Sequence, residues 1–283
     1  MTLETKVLLE GLAFGESPRW HDGKLWFSDM FAHQVMTVDL EGKTEIIVEV
    51  PGRPSGLGWL PDGRLLVVSM TDKRLLRLDP DGLTEVADLS GLASGDCNDM
   101  VVDALGRAYI GNSGLGTDLK QSKLGPAEII MVTPDGDMRV VATGMILPNG
   151  PVITPDGRTL IVAESFGSCL TAFDIGPDGS LAGRRVWASL GNGVHPDGIC
   201  LDADGVVWLA NPGGNEVIHV REGGEVTNRV KVSTQAFACM LGGPDRRTLF
   251  ILTAETWDHD EARAKASGRV ETVMVKVPGA GLP

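Results

Sequence analysis

The sequence predicts an all-β fold, a six-bladed β-propeller around a central channel, on three observations. The first is a phrase repeated six times, in which an apolar run leads to a turn and a second apolar run follows. The turns are His21-Asp22-Gly23, Pro61-Asp62-Gly63, Ala104-Leu105-Gly106, Pro155-Asp156-Gly157, Ala203-Asp204-Gly205 and the degenerate Pro244-Asp245-Arg246. The second is their spacing of roughly 40–50 residues, the length of one propeller blade. The third is composition: 37 Gly and 16 Pro in 283 residues suit many short strands joined by tight turns. Long helical periodicity is absent, and only the polar piece Asp258 to Ala266 reads as a helical turn or a loop. Because the repeat fills nearly the whole chain, residues 1–283 read as one closed domain.

Each copy reads as four strands, the run before the turn being innermost. Copy two runs Ser55 to Leu60, Leu65 to Ser69, Arg74 to Leu78 and Thr84 to Ala87, with a second turn at Asp79-Pro80-Asp81-Gly82. Third and fourth strands follow at Val35–Val38 and Thr44–Val48, at Glu128–Val132 and Arg139–Ala142, at Leu170–Phe173 and Arg185–Ala188, and at Val217–Val220 and Val230–Val232. Asp-Gly supplies the positive φ that two-residue hairpin turns require. The sixth copy has Leu249–Leu252 and Val270–Val275 but no fourth run, so Thr5–Leu9 is expected to complete it, leaving no open sheet edge. Two insertions interrupt the spacing, Ser113 to Pro126 and Thr256 to Ser267, and either can serve as a loop over a site or as a tolerated surface excursion.

The formal net charge of −13 disfavours nucleic acid and anionic membrane as partners. Met1 to Glu10 lacks the basic and apolar regions of a signal peptide, and no apolar run approaches a membrane span. Cys97, Cys169, Cys200 and Cys239 form no Cys-x-x-Cys pair and complete no zinc motif, so reduced, mostly buried thiols in a cytoplasmic protein are expected. The acidic charge suits a monomer or small homo-oligomer.

Aligned on their turns, the copies carry Glu16, Ser55, Asn98, Asn149, Asp197 and Cys239 where each inner strand begins, about eight residues upstream. Any one of these reads as a turn former. Two carboxylates and two amides at equivalent places read instead as ligands for a hard cation, because unpartnered carboxylates in a channel would be costly. Glu16, Asn98, Asn149 and Asp197 offer oxygen only, which favours Ca²⁺, Mg²⁺ or Mn²⁺ and admits Zn²⁺.

At these residues the chain resembles the superfamily of senescence marker protein (regucalcin), gluconolactonase and luciferin-regenerating enzyme. The matching phrases are Gly15-Glu16-Ser17-Pro18-Arg19-Trp20, Asn98-Asp99-Met100-Val101-Val102-Asp103, Leu147-Pro148-Asn149-Gly150 and Pro196-Asp197-Gly198. The resemblance implies a six-bladed propeller with one divalent metal on Glu16, Asn98, Asn149 and Asp197, and Asp197 as general base. It also implies a hydrolase that opens a small-molecule lactone to a hydroxy acid. Asp96 stands where sugar-lactone hydrolases of the family carry an Arg that contacts substrate hydroxyls, a reversal of charge that favours a different lactone or ester. The family's substrate-binding acid has no clear match, and Asp118 and Gln121 are candidates by proximity. His195, two residues before Asp197, reads as a substrate contact or as an ordinary loop histidine. His21, His33, His219 and His259 carry no assigned role. Trp59, Phe166 and Phe237 read either as apolar pocket walls or, preferably, as core or blade packing, and Asp103, Asp202 and Asp204 are expected to be structural.

Two other functions fit the same residues: a phosphotriesterase-type or other ester hydrolase using the same metal, and a non-enzymatic calcium-binding or protein-interaction propeller. A nucleophilic serine or cysteine is disfavoured, because no Gly-x-Ser-x-Gly elbow is present and Cys97 and Cys239 have no evident base.

Overall fold

The repeated turns act through their aspartates. The Asp62 carboxylate accepts the Arg64 N–H at 3.1 Å, and Asp156 does the same for Arg158 at 3.1 Å. Gly63 holds φ at 86°, a left-handed value that in the degenerate sixth turn falls on Arg246 at 55°. Asp103 accepts from Leu105 and Arg107, and Asp202 from Asp204 and Val206, so both are structural, as their place near the turns implies.

These turns organise six four-stranded antiparallel sheets in the computed structural model, which describes residues 4–115 and 125–281. The inner strands are Gly15–His21, Pro54–Trp59, Cys97–Val102, Pro148–Ile153, Ile199–Leu201 and Gln235–Gly242. Each packs against the next, and the sixth returns to the first, closing a six-bladed ring. Blade six is built from Gln235–Gly242, Thr248–Ala254 and Gly268–Met274, and Lys6–Leu12 pairs antiparallel with Gly268–Met274 as its outer strand. Asp258 to Ala266 resolves into a short helix, His259–Lys265, capped by the Asp258 side chain on the Glu261 N–H. No helix of the described residues is long and apolar enough to cross a membrane.

The core lies between successive blades. Leu66, Val68, Met100 and Ile110 fill the gap between blades two and three, and Ile161, Leu209 and Ile218 that between four and five. Burying each such side chain contributes on the order of 1.5–3 kcal/mol. Trp59 stacks on His21 at 4.0 Å and meets Trp26 edge-on, and Phe237 is buried against Phe14, so both pack as expected. Phe166 does not. It is 55% exposed, because it falls in the turn after the second strand of blade four, outside any inter-blade layer.

His219 is tied into blade five. Its Nε2 donates to Asp202 at 2.8 Å, its Nδ1 accepts from the Thr227 hydroxyl at 2.7 Å, and its ring stacks on Trp208 at 4.2 Å. The four cysteines are free thiols, with Cys97, Cys200 and Cys239 buried and Cys169 half-buried. Burial pushes the Cys97 thiol up to about 12, as suits a packing residue rather than a nucleophile.

Candidate active site

In blades one to four the pairing of the first two strands slips at the same place. The register shifts fall between Glu16 and Arg19, Pro54 and Leu57, Cys97 and Met100, and Pro148 and Pro151. Blade five shortens its inner strand to three residues, so Asp197 precedes it in irregular backbone. The ladder is therefore loosened where the aligned polar residues stand, which frees side chains to turn toward a site.

Two glycines allow the inner strands to approach closely there. A Cβ on Gly150 would lie 2.6 Å from the Ile199 nitrogen and 2.9 Å from the Asp197 carbonyl oxygen. A Cβ on Gly198 would lie 2.7 Å from the Ala238 Cα. The Gly198 N–H donates to the Phe237 carbonyl at 2.8 Å, and the Asp197 N–H to the Ala210 carbonyl at 3.0 Å, which fixes Asp197 between blades four and six.

Glu16 is buried and its carboxylate accepts the Ser17 N–H at 3.0 Å. Asp197 is half-buried overall, but its Oδ1 is shielded from solvent and has no hydrogen-bond partner. Burial pushes the Glu16 carboxyl well above its ordinary range, and the charges of Asp197 and Asp99 push it further, against the Ser17 N–H and Arg19. Burial also raises Asp197, with Asp99 adding to it, against hydrogen bonds from Asn149 and Gly198. The two carboxylates thus share one electrostatic neighbourhood with Asp99. An apolar cluster adjoins both along the chain: Phe14 precedes Gly15-Glu16, the Phe237 carbonyl accepts from Gly198, and Phe31 and Ala262 belong to the same cluster.

Arg19 and Asp99 escaped the sequence reading, although both stand inside the quoted phrases. Arg19, from blade one, reaches blade three, where it donates to Asp99 at 2.7 Å and to the Met100 carbonyl at 2.5 Å. Its guanidinium therefore lies across the channel, 3% exposed. The amides are also placed by neighbours. Ser55 Oγ donates to Asn98 Oδ1 at 3.3 Å, and Asn149 Nδ2 donates to Ser165 Oγ at 3.3 Å. Ser165 Oγ itself donates to the Pro196 carbonyl at 2.7 Å, linking blade four to the residue before Asp197.

His195 is held at this edge. Its N–H donates to Asn211 Oδ1 at 3.2 Å and its Nδ1 donates to the Ser165 carbonyl at 3.1 Å, which leaves Nε2 as an acceptor in the neutral ring. Phe166 meets it edge-on at 5.8 Å. Asp96 is buried at the root of the third-blade insertion, its N–H donating to the Leu115 carbonyl and its own carbonyl accepting from Ser113. Asp118 and Gln121 lie outside the described residues.

The donor set fits a hard divalent cation. Asp197 Oδ1 is an orphaned buried acceptor, and Glu16 and Asp197 are two carboxylates that burial discourages from ionising without a counter-charge. No group of three or more His, Cys, Asp and Glu side chains is gathered as a metal cluster among the described residues, so a cation here would depend on amide oxygen from Asn98 and Asn149 as well.

The family model described as SMP-30/Gluconolactonase/LRE-like region matches residues 14–255. Over 285 residues the chain is 24% identical to a 6-deoxy-6-sulfogluconolactonase of Pseudomonas putida, covering 98% of this chain and 96% of that one. It is 27% identical to a regucalcin of Danio rerio over 273 residues, 92% and 89% of the two chains. A crystal structure of a calcium-binding protein, regucalcin, from Agrobacterium tumefaciens superposes with a TM-score of 0.83 at 23% identity, covering 100% of this chain and 97% of that one. With its six blades and with that model matching from the residue before Gly15-Glu16 to the end of the second strand of blade six, the chain belongs to the SMP-30/gluconolactonase/LRE-like family.

Proposed function

We propose that the protein is a divalent-cation-dependent hydrolase that opens a lactone ring to a hydroxy acid. The observation that carries this reading is the pair of carboxylates Glu16 and Asp197, the latter with a buried, unpartnered Oδ1, at inner-strand entrances equivalent to those that carry Asn98 and Asn149. Kinship along nearly the whole chain with a protein named as a lactonase supports the lactone as electrophile. Glu16, Asn98, Asn149 and Asp197 would hold the cation. Ca²⁺ is the first choice for an all-oxygen set, and Mg²⁺, Mn²⁺ and Zn²⁺ are the others it admits. When bound, such a cation supplies Lewis-acid polarisation of a carbonyl and stabilises negative charge on its oxygen.

The chain's own residues do the rest. Asp197, ionised and fixed by its backbone, accepts a proton from the water that attacks the carbonyl carbon. The ring C–O bond then breaks, and the departing ring oxygen takes a proton to give the hydroxyl of the product. Ser165 and Ser55 orient the two amides.

Acid release from a lactone panel, followed by pH-stat on chelator-stripped protein, tests the reading. Turnover should be negligible without cation and restored by one of the four. Cation binding without acid release from any lactone would overturn it, and turnover confined to paraoxon-type triesters would move the assignment to the phosphotriesterase class.

The carboxylate pair also predicts a pH signature. Both pKa shifts are upward, so between the ordinary carboxylate range and the raised values the cation-free fold binds protons that the unfolded chain has released. Their contribution to stability therefore falls as pH rises through that window. A cation that occupies the ionised pair opposes this loss. Melting temperatures in chelator and in excess Ca²⁺ should diverge as pH rises above the ordinary carboxylate range, and diverge less in Glu16→Gln. Curves that stay parallel would remove the cation from these residues.

A further inference from the structure

Among the described residues, two aromatic rings are exposed, and both belong to the face where the inner strands begin. Phe166 and Trp257 are each 55% exposed, whereas the other described Phe, Tyr and Trp side chains are buried or half-buried. Phe166 follows the second strand of blade four, Thr159–Glu164, and Trp257 follows that of blade six, Thr248–Ala254. Blade five, which carries Asp197, lies between these two blades. Ile146, 44% exposed, stands at the entry to the inner strand of blade four and donates its N–H to Glu164 at 2.7 Å. Elsewhere the exposed large apolar side chains are aliphatic. An aromatic ring left in water beside buried polar groups can serve as an apolar contact for a ligand those groups hold.

Phe166 is joined to the site by a chain of contacts. It is one residue from Ser165, whose hydroxyl accepts from Asn149 and whose carbonyl accepts from His195. Its ring stands edge-on to that histidine, at an interplanar angle of 89°. Trp257 directly precedes Asp258, the N-cap of the helix His259–Lys265, and Ala262 of that helix is buried in the Phe14 cluster. Phe166 thus rides on a turn tied to Asn149 and His195, and Trp257 on the turn that leads into a helix packed on the Phe14 cluster. Arg19 is buried and gives its two terminal nitrogens to Asp99 and to the Met100 and Pro18 carbonyls.

We infer that the substrate is a lactone bearing an apolar substituent, alkyl or aryl, which packs on Phe166 and Trp257, rather than a polyhydroxylated sugar lactone. This rests on the lactone-opening function proposed above and specifies its substrate class.

Non-hydrolysable lactams separate the two claims, because their binding requires no turnover. Calorimetry on the Ca²⁺-loaded protein would compare δ-valerolactam, the same ring carrying a pentyl chain, and gluconolactam. The pentyl lactam should bind about 10-fold or more tighter than the other two. In Phe166→Ala and in Trp257→Ala that preference should shrink to within about threefold, with melting temperatures held near the parent because both side chains are exposed. Tighter binding of gluconolactam, a preference that survives both substitutions, or no binding of any lactam would each overturn the inference. A protein that shows the pentyl preference but opens no lactone would sink the hydrolase assignment alone, whereas one that opens lactones but prefers gluconolactam would sink the present inference alone.

Discussion

Replacing Asp197 with Ala is expected to lower kcat/KM for lactone opening by about 10³-fold or more at saturating cation, since a general base and a charge beside the reacting carbonyl are lost together. Stability should not follow activity. The Oδ1 of Asp197 has no hydrogen-bond partner and burial disfavours its charge, so the cation-free variant should melt no lower than the parent. Asp197→Asn is the companion variant: it keeps the shape and an amide oxygen but cannot accept the proton, and should be comparably inactive. The measurement is initial-rate kinetics on purified variants, with a melting curve beside each. Parent-like activity in either variant would remove Asp197 from the reaction.

A second large effect is expected far from any titrating atom. Gly150→Val introduces a Cβ 2.6 Å from the Ile199 nitrogen and 2.8 Å from the Gly198 Cα, both backbone atoms that cannot rotate aside. The inner strand of blade four must then move off blade five, at a cost of about 1–3 kcal/mol or more. For a chain of this size the melting temperature should fall by on the order of 5–10 °C. The Gly150 N–H donates to the Asp197 carbonyl at 3.3 Å, so the displacement reaches the proposed base, and misplacement by about 1 Å can cost about 10²-fold in rate. Gly91→Ala is the control. Its added carbon would meet nothing within 4 Å and its φ is not in the left-handed range, so both stability and activity should be unchanged. A Gly150→Val protein as stable as that control would show that the blade junction yields more readily than its geometry implies.

The blade repeat was legible in the sequence because it is written locally. An Asp-Gly turn, its flanking apolar runs and their spacing all fall within one blade, and hairpin chemistry decides the outcome without help from the rest of the chain. The polar positions at the inner-strand entrances were legible for the same reason, by alignment of the turns. What joins them was not. Arg19 pairs with Asp99 across 80 residues of sequence, and Ser165 reaches the Pro196 carbonyl across 31. Such partners meet only when the ring forms, and no local pattern announces them. Phe166 illustrates the opposite difficulty. A lone phenylalanine in a Ser-Phe-Gly turn carries no periodicity, so average hydrophobic behaviour assigns it to the core, while the fold leaves it on the rim.

The outer strand of blade six comes from the beginning of the chain, and Lys6 lies opposite Thr272. On the ribosome the first strand emerges early but has nothing to pair with until Gly268–Met274 has been made. Blades one to five can form as local units during synthesis, but the ring stays open until Gly268–Met274 leaves the exit tunnel. Without Lys6–Leu12 that strand would present a bare edge, and the N-terminal segment is the built-in strand that covers it. Loss of those few residues would therefore expose an aggregation-prone edge in the finished protein while leaving the candidate site's own side chains in place.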